Sequence, residues 1–91
     1  MKTSRQLERH FKGIANHRRL DILFLIKSFE GITLDEISQK LRCNLKTVSE
    51  HTRRLVQAGL VGKKYAGRSV KHSLTPYGKI FSNFINTFSN S

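Results

Sequence analysis

The stretch from Asn44 to Val61, NLKTVSEHTRRLVQAGLV, narrows what this chain can fold into more than any other. It predicts one helix with a marked start, a marked end and two unlike faces. Asn44 is a good N-cap, able to accept from the first unpaired amides of a helix. Gly59 stands just past the end, where the chain turns left-handed and glycine does so at least cost. Val48, Leu55 and Ala58 fall on one side at helical spacing. Lys46, Thr47, Ser49, Glu50, Arg53, Arg54 and Gln57 fall on the other. An apolar back with a cationic, hydrogen-bonding front suits the major groove of DNA.

Charge points the same way. Seventeen Lys and Arg stand against six Asp and Glu, a net charge of +11. That balance implies a polyanionic partner, nucleic acid first and an acidic membrane surface a distant second; double-stranded DNA is the partner that the helix itself suggests. All six acids (Glu8, Asp21, Glu30, Asp35, Glu36, Glu50) occur at or before residue 50. From His51 onward the charges are Arg53, Arg54, Lys63, Lys64, Arg68, Lys71 and Lys79, with no acid. A merely soluble surface intersperses both signs, so the second half is expected to carry a binding face.

The single cysteine, Cys43, excludes an internal disulfide. The N-terminus MKTSRQLERHFKG lacks the apolar segment of a signal peptide. The longest apolar run is too short to span a membrane. A soluble cytoplasmic, nucleoid-associated protein with no membrane partner is expected.

Taken in order, Thr3 or Ser4 caps a first helix carrying Leu7, Phe11, Ile14 and Ala15, weakened by Gly13. Asn16 caps a second, roughly residues 17–30, apolar nearly all round and therefore central. Ile32 has room only for a bridge of strand. Thr33 and Glu36 form a capping-box pattern that starts a third helix at Leu34, running to about Arg42 and burying Leu34, Ile37 and Leu41. After Gly59 the alternation changes, and residues 60–65 and 70–74 read as two strands around Ala66-Gly67-Arg68-Ser69. Thr75-Pro76 opens a last helix with the stripe Tyr77, Ile80, Phe81, Phe84, Ile85 and Phe88. Residues 89–91 are expected to fray.

The expected fold class is mainly α with a small β-hairpin wing. The order is helix, helix, short strand, helix, helix, strand, strand, helix: a winged helix-turn-helix. One domain covers residues 1–91, with the helix-turn-helix at 34–58, the wing at 60–75 and a C-terminal dimerisation helix at 76–88.

Ala15-Asn16-His17-Arg18-Arg19-Leu20-Asp21-Ile22-Leu23 resembles the second-helix start of ArsR-type regulators. Thr33 to Leu41, Thr47-Val48-Ser49-Glu50-His51 and Leu55-x-x-Ala58-Gly59-Leu60-Val61 continue the likeness. Val70 to Thr75 with Gly78-Lys79 is similar to the wing and last helix of ArsR- and MarR-like proteins. The resemblance covers about residues 14–80 and implies a dimeric transcriptional regulator on a palindromic operator. The chain departs from the family at His17, where proline is usual, and at Thr52, where leucine is usual and where a hydroxyl near the core would loosen packing. The family's metal sensors carry a cysteine pair on the third helix or Asp and His on the last. Here Cys43 stands alone, the last helix has none of these, and His10, His17, His51 and His72 are scattered. Zinc needs about four converging ligands, so neither metal nor other cofactor is expected.

Lys46, Thr47, Ser49, Glu50, Arg53 and Arg54 are the candidate groove contacts. Arg53 or Lys46 would read guanine, and Glu50 would accept from cytosine. The alternative is a solvated face on which Glu50 pairs with Arg53 or Arg54 along the helix. Lys63, Lys64, Arg68 and Lys71 are assigned to phosphate or minor-groove contact by the wing, against ordinary edge decoration. Leu7, Phe11, Phe81, Phe84, Ile85 and Phe88 are the candidate dimer interface, unless the last-helix stripe folds back as core. Tyr65, Tyr77, His51, His72 and Cys43 read as packing or structural residues.

The leading function is a sequence-specific DNA-binding regulator, a dimeric repressor. A non-specific chromatin-like or RNA-binding protein and a winged-helix interaction module stay open. No carboxylate pair, nucleophile–base set or phosphate loop supports an enzyme. The sequence names no effector, and its length leaves little room for an effector domain.

Overall fold

A computed structural model describes residues 1–89 of the chain. The elements are α1 (Ser4–Ile14), α2 (His17–Ser28), α3 (Leu34–Leu41), α4 (Leu45–Gln57), β1 (Val61–Ala66), β2 (Ser69–Leu74) and α5 (Pro76–Ser89). This is the winged helix-turn-helix, in the order read from the sequence. Ser89 is still helical, and the rest of the stretch expected to fray lies outside the described residues.

Local chemistry sets the helix boundaries. Thr3 and Gln6 form a capping box at α1, as Thr33 and Glu36 do at α3. Asn16 accepts from the amides of Arg18 and Arg19, and Asn44 from those of Lys46 and Thr47. At the end of α4 the Gly59 amide donates to Val56 and the Leu60 amide to Leu55, both at 3.0 Å. That is a Schellman motif, with Gly59 at φ 76°. The α3–α4 turn uses the same pair of bonds, from Arg42 to Gln39 and from Cys43 to Ser38. Here the left-handed position is held by Arg42 (φ 51°), and the Ser38 hydroxyl donates to the Cys43 carbonyl at 2.5 Å. Cys43 is half-buried in this turn, as expected.

α2 is the centre of the core. Its Ile22, Leu23 and Ile26 are wholly buried and meet Ile37 of α3, Val48 and Leu55 of α4, and Leu60 and Val61 beyond it. Burying side chains of this size contributes roughly 1.5–3 kcal/mol each. β1 and β2 pair antiparallel from Val61↔Leu74 to Ala66↔Ser69, leaving Gly67 and Arg68 as a two-residue loop. Ile32 bridges to His72 on the other edge of β2, the single-residue strand the sequence allowed. The His72 side chain is buried there, its Nδ1 2.9 Å from the Ile32 carbonyl.

Gly13 does more than weaken α1. A Cβ on it would overlap that of Ala58, so glycine lets α1 cross closely over the end of α4. Gly78 serves α5 likewise, because a Cβ there would meet the Leu60 carbonyl oxygen. Thr75 fixes the same junction: its hydroxyl donates to Gly59 O at 2.6 Å and accepts from the Gly78 amide at 3.0 Å. Among the described residues no helix is long and apolar enough to cross a membrane.

Candidate nucleic-acid interface

α4 divides as its sequence demands. Val48, Thr52 and Leu55 are at most 1% exposed, while Lys46, Thr47, Ser49, Glu50, Arg53 and Arg54 all face solvent. The Thr52 hydroxyl has no hydrogen-bond partner among the described residues, so the family departure buries an unsatisfied polar atom. Leaving such a group unpaired costs about 1–3 kcal/mol.

On the outer face the free protein adopts the intrahelical pairing. Arg53 Nη2 donates to both Glu50 oxygens at 2.7 and 2.8 Å, and Arg54 Nε reaches Oε1 at 3.3 Å. The Arg53 hydrogen bond, with the charges of Arg53 and Arg54, holds the Glu50 carboxyl below the usual carboxylate range. All three side chains are about half exposed. Exposed pairs of this kind contribute little, so the arginines can be redirected toward a stronger anion.

The hairpin brings the wing cations together. Lys63 and Lys64 of β1, Lys71 of β2 and Arg68 of the loop are all exposed. Register sets Lys64 directly opposite Lys71, a like-charge pair that weakens a free hairpin and suits an anion across it. Tyr65 corrects one expectation. It is 74% exposed, not packed, because β1 runs out past the core after Gly62 and its residues 63–66 are all exposed.

The last-helix stripe splits in two. Phe81 and Ile85 pack against the core, with Phe81 edge-on to Phe11 at 5.3 Å between ring centroids. Leu7, Phe11, Tyr77, Ile80, Phe84 and Phe88 are 43–67% exposed. Tyr77 also lies 5.3 Å from the His10 ring and under the Lys2 ammonium.

Two residues near this interface escaped the sequence reading. His10 is buried, its Nδ1 2.6 Å from the Ala58 carbonyl at the end of α4. Its spacing from Leu7 and Ile14 put it on the apolar stripe of α1, which was the available signal. Arg19 joins three helices, donating from Nε to His51 Nδ1 at 3.3 Å and from Nη1 to the Lys12 carbonyl at 3.1 Å. No local pattern announces that link. Burial, followed by the charge of Arg19, pushes the His51 pKa down. Among the described residues no group of three or more His, Cys, Asp or Glu side chains converges to hold a metal ion.

Comparison with known proteins fits this geometry. The chain is similar to HlyU from Vibrio cholerae, at 25% identity over 99% of this chain and 98% of that one, with a TM-score of 0.86. A homodimeric winged helix-turn-helix DNA-binding domain from Mycobacterium bovis, a possible ArsR-family regulator, shares the fold. It is 24% identical over 99% and 89% of the two chains, at a TM-score of 0.84. FabT from Streptococcus pneumoniae, solved in complex with DNA, also shares it at 20% identity and a TM-score of 0.74. The alignment covers 79% of this chain and 52% of FabT. No curated protein sequence matches the chain significantly. The model of the MarR family matches residues 15–64. That span holds α2, α3, all of α4 and the start of the wing, more than half of the chain, and the chain belongs to the MarR family.

Proposed function

We propose that the protein is a sequence-specific, double-stranded DNA-binding transcriptional regulator acting as a dimeric repressor. The observation that carries this reading is the division of α4, whose inner face is sealed while its outer face is made of exposed groove-reading side chains. Arg53 or Lys46 supplies the donors for guanine and Glu50 the acceptor for cytosine. Lys63, Lys64, Arg68 and Lys71 take the backbone or the minor groove, and Arg54 stands beside the reading set. A second copy seated on Leu7, Phe11, Phe84 and Phe88, with Phe81 and Ile85 behind them, presents two α4 helices to one duplex. Winged-helix relatives that are homodimeric or bound to DNA support this arrangement. Repression needs nothing beyond occupancy of the site.

Selection from a random duplex pool near physiological salt tests it. The expected result is an enriched palindrome with half-sites about one helical turn apart. Binding without an enriched motif would replace the reading with a non-specific one, and no binding would favour a protein-interaction module.

A further inference from the structure

Beside the reading face, at the C-terminal end of α4, lies a second basic site. α1, the start of α2 and the end of α4 enclose a cleft of about 500 Å³, floored by the contact of Gly13 with Ala58. Arg5, Arg9, Lys12, Arg19 and Arg54 line it, and Glu8 is the one acid among its walls. Glu8 is paired to Lys12 at 3.2 Å, which leaves four guanidinium groups around the same space. Arg19 is oriented through Nε and Nη1, so its Nη2 remains for a ligand. Arg54 holds Glu50 by a 3.3 Å bond, while Arg53 takes the shorter ones.

Gathering like charges in one cleft is unfavourable unless an anion neutralises them. Guanidinium groups form forked, paired hydrogen bonds with carboxylate and phosphate alike. A phosphate, however, brings three acceptor oxygens and about −1.5 to −2 of charge to several converging forks, more than one carboxylate can offer. We infer that this cleft is a phosphate-binding site, formed by Arg5, Arg9, Arg19 and Arg54. The phosphate belongs either to a free phosphorylated small molecule or to DNA backbone outside the reach of α4. A phosphate here also draws Arg54 away from Glu50, leaving Glu50 to Arg53. The site is thereby coupled to the reading face.

The test has two arms, each run on the full chain and on the Arg5→Ala/Arg9→Ala variant. Both positions are exposed, and circular dichroism checks that the variant folds. In the first arm inorganic pyrophosphate is titrated at constant ionic strength, with acetate as control, following the backbone amides of Gly13, Arg19, Gln57 and Ala58 by NMR. Saturable shifts that acetate does not produce, weakened at least tenfold in the variant, assign the site to free phosphates. In the second arm the salt dependence of duplex binding is measured. A log–log slope shallower in the variant by about 1.8, two phosphate contacts at about 0.9 each, assigns the site to DNA backbone. An Arg5→Lys/Arg9→Lys variant keeps the charge and is expected to recover part of either effect. Unshifted amides together with an unchanged slope overturn the inference. The second arm rests on the DNA-binding reading and the first does not. If the wild type binds no duplex, that reading fails while pyrophosphate still decides the cleft.

Discussion

α4 buries Val48, Thr52 and Leu55 almost completely and turns Lys46, Ser49, Glu50 and Arg53 to water. α5 fully buries only Gly78 and Ser82, and leaves Ile80, Phe84 and Phe88 at 50–67% exposure. Both helices are amphipathic and both lie against α2, yet their outer faces ask for opposite partners. The outer face of α4 is already well solvated, so an anion gains from it without any rearrangement of the core. The outer face of α5 is aromatic, and covering it with a second apolar surface removes that area from water at about 25 cal/mol per Å². One fold thus presents a polar, cationic face and an apolar, aromatic face on two helices that the Thr75 junction ties together.

The largest effect should come from the assembly side. Phe11→Ser with Phe84→Ser is expected to weaken self-association by roughly 2 kcal/mol per residue, as for central interface aromatics. Analytical ultracentrifugation at micromolar concentration would show monomers with a native circular dichroism spectrum, and operator affinity would fall with the dimer. A variant that still sediments as a dimer through the same face would break the comparison.

Next is the anchoring of α5 itself. In Gly78→Ala the new methyl meets the Leu60 carbonyl, part of the backbone, which cannot swing aside. Overpacking of this kind costs about 3 kcal/mol at its upper range, read as a lower midpoint in urea. Gly67→Ala in the wing loop meets no atom within 4 Å. It should cost only the left-handed backbone penalty of about 1–2 kcal/mol.

On the reading side, Arg53→Ala should lose about 1–3 kcal/mol on the preferred site and relax one base position. Lys64→Ala should weaken all sequences alike and lower the salt slope by about 1. Measuring both on specific and scrambled duplexes separates base contact from phosphate contact. If Arg53→Ala weakens every duplex equally, the face holds the backbone and does not read bases.

α4 was legible because its signals are local. Asn44 caps it, Gly59 stops it, and the spacing of Val48, Leu55 and Ala58 names the inner face. The capping box at Thr33 was legible for the same reason, whereas at α1 the sequence left Thr3 and Ser4 open and the bond with Gln6 settles the cap on Thr3. The cleft was not, because it depends on which helix crosses α4 and how closely, and that is settled by Gly13 meeting Ala58 across distant parts of the chain. Tyr65 misled because strand alternation continues to the end of β1 although the core beneath it does not. The aromatic stripe of α5 announced burial, but the pattern does not say how much of it the chain's own core can cover. Phe81 and Ile85 reach that core and Phe84 does not.

The inner faces of the two helices share one flaw. Thr52 Oγ1 in α4 and Ser82 Oγ in α5 are both buried without a hydrogen-bond partner among the described residues. Thr52→Val keeps the shape and removes the orphan hydroxyl, so a gain of about 1 kcal/mol is expected in thermal or urea unfolding. A loss would mean that the hydroxyl is satisfied in solution, and the core side of α4 would then be wetter than its packing shows.

The smallest effect concerns the junction between α4 and α2. His51 is half-buried and its Nδ1 accepts from Arg19, so its neutral form fits the folded chain. Burial lowers its pKa; Arg19, His17 and Arg18 lower it further, and Glu50 opposes them. The unfolded chain therefore takes up the proton more readily. Above the ordinary histidine value of about 6.5 both states are neutral and the full stability is present. As pH falls the unfolded chain is protonated first, and stability is lost until the pH has passed below the folded pKa. Unfolding midpoints compared between pH 7.5 and 5 should drop in the wild type. They should drop less in His51→Gln, whose amide oxygen can still accept from Arg19. Glu36 and Glu50, both lowered, lose their contribution only at pH values below this window. Equal slopes in the two proteins would remove His51 from the junction's energetics and leave Arg19 held by the Lys12 carbonyl alone.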